Sequence, residues 1–552
     1  MVPFFFVPFY QSNDDVAMRL LAEGNLVPET GPLPFLMHVN VVIGALLRVL
    51  YGIAPSVPWY DLLLGASMTA AAIVFVRIWL GSRKWFEAAW TIVLALFFLL
   101  PVFVHVQFSV AAMACAGAGI VLLVRGRVWW GVALFLWGAL IRTEGAALML
   151  IEGGALALPL VMNAEFRPRA KRVAIAAVAA VLLTGVAFGV NQYVYARAEG
   201  WEEFHRYNFL RSRVTEYLSL ARLTPQNEAE LQRRTGWTAN DFRLFRYWFF
   251  ADPELFSFAR VQKAEQLLLA SAPAPDQTQP SVPKQIYYHT RTYVHELRFV
   301  ILVLGLFALS WRGRLRLLLY CAWVAFVLAT LVFVLHVAAK APPERILWPM
   351  VMFVPVMLAL AAQRWGREAQ PIVAAIALIV ASLFTARSVI ALHAKNEQRQ
   401  IHAAETRGDV EALRSTGATF FLLHAAAFPY EDYWRPLHVE QRPFPFLGLG
   451  VSARTPPVQE FLRRSGRTDL PLALCSDPNM LIIARDNLPP MLEQFMREHH
   501  AREVRYVPAF AGKRFTAWRC IAPKKTGRES EEPAPRPEQV IPGPSPQDRE
   551  VH

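Results

Sequence analysis

Long apolar segments separated by short charged turns constrain the fold more than any other feature of this sequence. A stretch of about 18 or more apolar residues is long enough to cross a bilayer as a helix. With 55% hydrophobic and only 18% charged residues in 552, a single soluble domain is excluded. The expected spans are 60–80, 86–104, 107–125, 128–143, 145–162, 172–195, 296–311, 317–338, 346–363 and 371–391. The sequence therefore predicts an all-α polytopic membrane protein.

The net charge of +13 is compatible with nucleic-acid binding, but the positions of the basic residues favour another interpretation. They fall in alternate short loops, which is the positive-inside pattern of membrane proteins. These loops, predicted to be cytoplasmic, contain Arg83 and Lys84, Arg125 and Arg127, Arg167 to Arg172, Arg312 to Arg316, and Arg364 with Arg367. We therefore expect membrane lipid, and no nucleic acid, as a partner.

The remaining connections are predicted to lie outside the cytoplasm. They include a first periplasmic loop, 11–59, with interfacial helices, and a large helical periplasmic loop, 197–295. Residues 36–54 are long enough to span, but a crossing there would invert the charge pattern, so we interpret them as an interfacial helix. A true span with an inverted N-terminus is the alternative. The apolar N-terminus is expected to be the end of a first span that begins before residue 1, giving about eleven spans within a transmembrane domain of residues 1–391.

Residues 392–521 are predicted to form a small periplasmic α/β domain outside the membrane. "TFFLLHAA", "NMLIIAR" and "VRYVPAF" are typical of strands, and "PPVQEFLRRSG" and "PPMLEQFMREHH" of helices. Residues 522–552 are too polar and rich in proline to fold, which predicts a disordered tail. In the periplasm a disulfide between Cys475 and Cys520 could persist, whereas Cys115 and Cys321 are expected to be apolar core residues.

Two neighbouring acids in "YQSNDDVAM", Asp14 and Asp15, are the first candidate site. Neighbouring carboxylates raise each other's pKa, and one of such a pair is suited to accept a proton near neutral pH. The alternative is that Asn13, Asp14 and Asp15 only cap a helix beginning near Val16, since acids are favourable at a helix N-terminus. The two interpretations are compatible, because one acid can cap while the other meets a substrate.

Two predicted outer turns contain cations against the positive-inside bias. "LIRTEGAAL" carries Arg142 and Glu144, and "AAKAPPERILWP" carries Lys340, Glu344 and Arg345. A membrane-bound phosphate would explain the cations, because arginine binds phosphate with two parallel hydrogen bonds. The alternatives are an Arg142–Glu144 ion pair in an ordinary turn, and cations that extend to the membrane interface.

Further signals are less specific. Glu152 falls in mid-span, where an ionisable group is a functional candidate, although pairing with Arg77 is an alternative. In the long loop, Thr238 or Asn240 is expected to cap one helix, and Pro253 to begin the next. The aromatic run at 248–250 fits an interfacial belt better than a sugar-stacking surface. The sequence contains no Walker, GxSxG, HExxH or Rossmann motif.

An acidic pair outside the first span, a helical first outer loop and many spans resemble the GT-C superfamily of integral-membrane glycosyltransferases. The segments "PFLMHVNVVIGALLRVLYGIAPSVPWY" and "GWTANDFRLFRYWFFADPELFS" also resemble poorly characterised bacterial polytopic proteins that we place in that superfamily. The resemblance implies a polyprenyl-phosphate-linked sugar donor, a glycan, lipid or protein acceptor, an inverting reaction and a periplasmic active site in the bacterial inner membrane. It also implies that an acid of the first outer loop is the catalytic base. In this sequence the resemblance gives that role to Asp14 or Asp15.

The other site residues are predicted from topology. Arg142, Lys340 and Arg345 are expected to bind the donor phosphate, and Asn13, His38, Glu144 and Glu344 to contact substrate. No obligatory cofactor is expected, although paired acids could hold a divalent metal. Two alternatives remain open. An oligosaccharide polymerase or ligase of the O-antigen type would depend more on external arginine and histidine, and a lipid-linked glycan transporter would carry charges through the middle of several spans.

Overall fold

The computed structural model describes residues 5–27, 30–81, 85–162, 167–217, 225–270, 314–338, 343–365, 370–438 and 444–522. Several predictions lie outside these ranges: the span 296–311, the end of the large loop (271–295), the tail beyond residue 522, the phosphate-binding role of Lys340, and the cytoplasmic placement of Arg83, Lys84, Arg312 and Arg367. Within the described residues the protein is mostly helical, with a mixed β-sheet near its C-terminus.

The first loop and the membrane part consist of a series of helices. They are α1 (Asn13–Glu23), α2 (Val41–Ile53), α3 (Trp59–Trp79), α4 (Trp85–Leu94), α5 (Leu100–Val104), α6 (Phe108–Val124), α7 (Val128–Ile141), α8 (Thr143–Val161) and α9 (Arg167–Arg197). A π-helical turn (Ala95–Leu99) joins α4 to α5. After the long loop come α14 (Arg314–Ala338), α15 (Glu344–Trp365) and α16 (Pro371–Arg414). Among the described residues, seven helical segments are long and apolar enough to cross a membrane. The chain is thus a multi-pass membrane protein.

Helices α6 and α7 are shorter than a full span, at 17 and 14 residues, and they pack through glycines. A Cβ atom added to Gly119 would lie 2.6 Å from the backbone nitrogen of Phe135, and one added to Gly138 would lie 2.5 Å from the carbonyl oxygen of Ala112. Small residues allow this close backbone approach between membrane helices. The packing places Arg142, at the end of α7, beside Ser109, at the start of α6.

The helix of the first outer loop begins earlier in the chain than the sequence predicts. Helix α1 starts at Asn13 with Ser12 at the N-cap, so both acids lie in its first turn rather than before it. Just upstream, strand β1 (Phe9–Tyr10) pairs in parallel with β2 (His105–Val106), which directly precedes α6. This pairing brings the start of the first loop to the start of α6.

The long loop forms α10 (Trp201–Ser212) with a π-helical turn (Arg213–Tyr217), then α11 (Pro225–Thr235), α12 (Ala239–Arg246) and α13 (Phe258–Ala270). The predicted cap at Thr238 is confirmed: its side chain accepts from the Asp241 backbone nitrogen, and Asp241 accepts in return from the Thr238 nitrogen. The prediction for Pro253 is wrong, because residues 253–256 form a turn and the next helix begins at Phe258.

The C-terminal domain is built on a five-stranded sheet of order β4-β3-β5-β7-β6. Its strands are β3 (Phe420–Leu423), β4 (Phe446–Gly448), β5 (Met480–Ile483), β6 (Arg505–Ala511) and β7 (Thr516–Ile521), surrounded by α17 (Tyr430–Tyr433), α18 (Pro456–Arg464), α19 (Leu470–Ser476) and α20 (Leu488–His500). Strands β4, β3 and β5 are parallel, and β7 and β6 are antiparallel additions. Cys475 of α19 and Cys520 of β7 form a disulfide with their Cα atoms 4.9 Å apart. The last predicted span, 371–391, continues as one helix to Arg414 and so leads directly into this domain.

Candidate functional site

The two ends of the helix bundle contain different sets of polar residues. At one end, Gln363 donates to the carbonyl of Ile78 (2.6 Å) and accepts from Arg125, next to loops that the sequence predicts to be cytoplasmic. At the other end, the starts of α1, α6 and α15 and the end of α7 surround a cavity of about 640 Å³. Its lining includes Asp14, His38, Asn40, Phe108, Arg142, Glu144, Asn191, Gln192, His205, Asn208, Arg211, Glu216, Trp248 and Arg345. Five predicted site residues (Asp14, His38, Arg142, Glu144 and Arg345) therefore share one cavity.

Asp14 and Arg345 form an ion pair across the cavity wall. Arg345 Nη1 lies 3.4 Å from Asp14 Oδ2, and the two side chains are 33% and 30% exposed. At this distance and exposure the ion pair is weak, since such pairs stabilise a protein by about 0–1 kcal/mol. Both groups therefore stay accessible to a ligand in the cavity.

Arg142 is fixed at the junction of α7 and α8. Its guanidinium donates to the hydroxyl of Ser109 and lies 5.0 Å from the ring centroid of Phe108. The predicted contact with Glu144 is present but long, at 3.8 Å, and the Glu144 carboxylate is 81% exposed. Arg142 is thus held by neutral neighbours and keeps a charge that the structure does not fully balance.

His38 lies between the charged groups and the rest of the cavity. Its ring stacks on Phe108, with centroids 6.0 Å apart and planes 11° apart. Burial lowers the pKa of His38, and the nearby Arg142 and Arg345 lower it further, whereas Asp14 raises it. At neutral pH the imidazole is therefore uncharged and can donate or accept a hydrogen bond.

Asp15 is fully buried and is not among the cavity-lining residues. Its carboxylate accepts from the Phe108 backbone nitrogen (3.0 Å), the Tyr60 hydroxyl (3.1 Å) and the Ser12 hydroxyl (3.0 Å). Burial raises the pKa of Asp15 to about 7, although these three donors oppose the rise. Asp15 thus joins α1 to the start of α6 and positions the Phe108 ring that both His38 and Arg142 contact.

A second buried network, which the sequence did not predict, joins the first outer loop to the C-terminal domain. Tyr10 donates to Asp61, and Arg19 lies 3.5 Å from the same carboxylate. Arg19 also donates to the carbonyls of Arg435 and His438, while Asp61 accepts from the Leu437 nitrogen at 2.9 Å. The one sequence signal was an acid, Asp61, at the start of a predicted span.

The long loop supplies further residues of the cavity, among them Arg211, which the sequence did not single out. Arg211 of α10 donates to Asn208 (2.8 Å), Thr215 (3.0 Å) and Glu216 (3.0 Å), and its guanidinium lies 4.5 Å from the ring of Trp248. Trp248 belongs to the aromatic run that was predicted to be an interfacial belt. The structure places it in the cavity wall instead.

The remaining predicted site residues lie elsewhere. Asn13 is half-buried in the first turn of α1, and Glu344 is exposed at the first turn of α15; neither is among the cavity-lining residues. Glu152 is fully buried, and its carboxylate oxygens have no partner among the described residues. The alternative in which it pairs with Arg77 is wrong, because Arg77 is exposed.

One group of side chains in the described part of the chain has the spacing of metal ligands: Asp241, Glu498 and His499. It lies between α12 and α20, and none of the three lines the cavity. Asp241 already accepts from His499 (2.8 Å) and from the Thr238 nitrogen (2.8 Å), so hydrogen bonding explains the grouping. These contacts attach the long loop to the C-terminal domain.

Fold and cavity together define a multi-pass membrane protein with a polar cavity at one end of its helices and a mixed α/β domain beside that cavity. No family model matches the chain, and no curated protein matches it. Among solved structures, the crystal structure of ArnT from Cupriavidus metallidurans bound to undecaprenyl phosphate is similar over 94% of this chain and 95% of that one. The similarity is distant, with 13% sequence identity and a TM-score of 0.34.

Proposed function

We propose that this protein is a membrane glycosyltransferase that transfers a sugar from a polyprenyl-phosphate-linked donor to a glycan, lipid or protein acceptor. In this proposal Asp14 is the general base, and Arg142 and Arg345 bind the donor phosphate. The observation that carries the proposal is that these three residues, from α1, the α7–α8 junction and α15, line one cavity.

The charges of this cavity suit a phosphate leaving group. Arg345 faces Asp14 in a weak ion pair, and Arg142 is held by Ser109 and Phe108 rather than by a close anion. A phosphate can therefore replace the Asp14 carboxylate as the partner of Arg345, and no buried cation is left unpaired. Cations aimed at a departing phosphate stabilise the charge that develops on it in the transition state.

The reaction needs one proton acceptor and one charged leaving group. The acceptor hydroxyl oxygen attacks the anomeric carbon, its proton passes to Asp14, and the bond from that carbon to the phosphate oxygen breaks with its electron pair on the phosphate. Asp14 suits the role of base because it is accessible, whereas Asp15 is buried under three hydrogen bonds. Attack from the face opposite the phosphate inverts the anomeric configuration, as the superfamily resemblance implies.

The orientation follows the positive-inside bias. Arg125 marks the cytoplasmic end of the bundle, so the cavity opens on the periplasmic side of a bacterial inner membrane. The long loop and the C-terminal domain then lie in the periplasm, where the Cys475–Cys520 disulfide persists. Alkaline-phosphatase fusions after Ser56 and after Gly81 test this orientation: activity only after Gly81 would overturn it.

The decisive experiment compares adjacent acids. Membranes carrying the wild type, Asp14→Asn or Asp15→Asn are given radiolabelled undecaprenyl-phosphate hexoses, and the sugar released from the lipid into glycosidic products is measured. We expect Asp14→Asn to slow transfer roughly 10²–10⁴-fold, and Asp15→Asn to keep most of it. Glu411→Gln, at an exposed position on α16, is the matched control. Wild-type transfer by Asp14→Asn would exclude the proposed base, and movement of intact donor across the membrane without release of sugar would indicate a transporter.

A further inference from the structure

One wall of the cavity differs chemically from the wall that holds Asp14 and Arg345. It is formed by α9, α10 and the turn after α12, and its polar side chains include the amides of Asn191, Gln192 and Asn208. Its charged pair is Arg211 and Glu216, which are 3.0 Å apart and cancel each other. The charges that the described residues contribute to this wall therefore balance.

Arg211 is not free to bind an anion. Its Nε and Nη2 donate to Asn208 Oδ1 at 3.1 and 2.8 Å, and its Nη1 donates to Thr215 and Glu216. The side chain is only 4% exposed, and its guanidinium lies against the ring of Trp248. The role that this geometry gives Arg211 is to support the indole from one side.

His205 also contributes no charge to this wall. Its ring packs edge-on against Tyr195, with centroids 4.3 Å apart. Burial and, to a smaller extent, the neighbouring His38 lower the pKa of His205 to about 4, so the imidazole is neutral at physiological pH. Because His38 in turn interacts with Asp14, Arg142 and Arg345, the neutral wall adjoins the charged one.

Trp248 occupies a backbone position that favours glycine. Helix α12 ends in a Schellman motif: the Trp248 nitrogen donates to the Phe245 carbonyl (3.2 Å), and the Phe249 nitrogen donates to the Leu244 carbonyl (3.0 Å). The left-handed residue of this motif is Trp248, with φ of 62°. A side chain there is unfavourable relative to glycine, and such strain persists where the surrounding structure enforces it.

The C-terminal domain enforces this conformation. His424, which directly follows β3, donates to the carbonyl of Tyr247 at 2.5 Å, one residue before Trp248. Val451, from the same domain, also lines the cavity. The domain therefore fixes the turn that presents the indole.

We propose that this neutral wall binds the sugar ring of the lipid-linked donor, that Trp248 is its stacking surface, and that the sugar is uncharged. The inference rests on the proposed function above, because the phosphate of the same donor would bind at Arg142 and Arg345. An indole face is apolar and amphipathic sugar rings stack on it, whereas the amides and the neutral imidazole exchange hydrogen bonds with sugar hydroxyls. On the described part of this wall, a cationic or anionic sugar would meet opposite charge only at Arg211 and Glu216, which already pair with each other.

Trp248→Gly is the sharpest test, because it removes the indole and relieves the left-handed backbone in one step. Binding of undecaprenyl phosphate is compared with that of undecaprenyl-phosphate glucose, galactose, mannose and N-acetylglucosamine, and with the glucosamine and glucuronic acid counterparts. We expect at least one neutral sugar to improve wild-type affinity about tenfold over the sugar-free lipid, and Trp248→Gly to remove most of that gain. Trp248→Phe should keep part of it. Trp129→Gly, at a tryptophan that is 85% exposed and outside the cavity, is the matched control.

The outcomes separate this inference from the function on which it rests. If every neutral sugar binds no better than the sugar-free lipid, if Trp248→Gly keeps the gain, or if a charged sugar binds best, the subsite as proposed is wrong. Any of these results leaves the phosphate site standing, provided that Arg345→Ala still weakens binding of the sugar-free lipid. If Arg345→Ala has no effect on that lipid, the proposed function itself fails.

Discussion

Arg345 Nη1 lies 3.4 Å from Asp14 Oδ2, although 331 positions separate the two residues in the chain. One begins α15 and the other begins α1, and each is about one-third exposed at the cavity. A cation and a carboxylate that are only weakly bound to each other can separate and admit a donor between them. The cation would bind the group that leaves, and the carboxylate the proton that the incoming group loses.

Arg345→Ala is expected to weaken binding of undecaprenyl phosphate by roughly 10- to 100-fold, because hydrogen bonds to a charged group contribute about 1.5–3 kcal/mol. Arg345→Lys should recover part of the affinity, since it keeps the charge and loses the two-pronged geometry. Both affinities are measured by microscale thermophoresis, in which the purified protein in detergent is titrated with undecaprenyl phosphate. Arg48→Ala, at an exposed arginine outside the cavity, should bind as the wild type does. Equal affinity in all four proteins would remove Arg345 from the site.

The pKa of Asp15 predicts how stability depends on pH. Its pKa is about 7 in the folded protein and 3.8 in a model peptide, so between these values the folded chain binds more protons than the unfolded chain. Stability therefore falls as pH rises from about 4 to about 7 and changes little above that. At about 1.4 kcal/mol per pKa unit, this residue accounts for a fall of roughly 4 kcal/mol.

Asp15→Asn should remove that part of the pH dependence. An asparagine keeps an oxygen for the Phe108 nitrogen and does not ionise, so the variant should match the wild type at low pH and exceed it at pH 8. Thermal unfolding of both proteins in detergent from pH 4.5 to 8.5 gives the difference. If the unfolding temperatures of the two proteins changed with pH in parallel, Asp15 would already be ionised in the folded protein at pH 5.

The Cys475–Cys520 disulfide closes a segment of 45 residues, for which chain-entropy arguments give a stabilisation of about 4 kcal/mol. The double variant Cys475→Ser/Cys520→Ser should therefore unfold at a lower temperature, with the loss confined to the C-terminal domain. Mass spectrometry after alkylation in denaturant should find two free thiols without reductant, at Cys115 and Cys321, and four with it. Four thiols without reductant would mean that the bond does not form in the cell.

Much of the fold follows from local patterns. Apolar length predicts the helices, and the Thr238 cap and the strands "TFFLLHAA" and "NMLIIAR" are each visible in a few consecutive residues. Strand β4 has only three residues, too short for a periodic signal, and is defined by its pairing with β3. At residues 253–256 the local pattern gives the wrong prediction. Pro253 fits the start of a helix but lies in a turn, because the Asp252 side chain accepts from the Glu254 and Leu255 nitrogens.

The candidate site was predictable only in part. Asp14, Arg142 and Arg345 stand out because charge at an apolar boundary is visible in sequence, and topology placed all three on one side. Which of two adjacent acids faces the cavity depends on helix phase and on the Phe108 nitrogen, 93 positions away. Trp248 could not be assigned, because an aromatic run looks the same in a belt and in a cavity wall. The difference lies in contacts with Arg211 and with the C-terminal domain.

The final prediction concerns the buried network that attaches the first loop to the C-terminal domain. Arg19 and Asp61 are 0% and 1% exposed, and Arg19 donates to the carbonyls of Arg435 and His438. Arg19→Met should destabilise the protein by roughly 3–5 kcal/mol, because it leaves the carboxylates of Asp61 and Glu23 without their shared cation. The double variant Arg19→Met/Asp61→Asn should recover part of that loss, since the amide oxygen introduced at position 61 can accept from the Leu437 nitrogen while the amide NH2 donates to the Tyr10 hydroxyl. Thermal unfolding of the two single variants and the double variant completes a double-mutant cycle. Strictly additive losses would show that Arg19 and Asp61 do not interact in the folded protein.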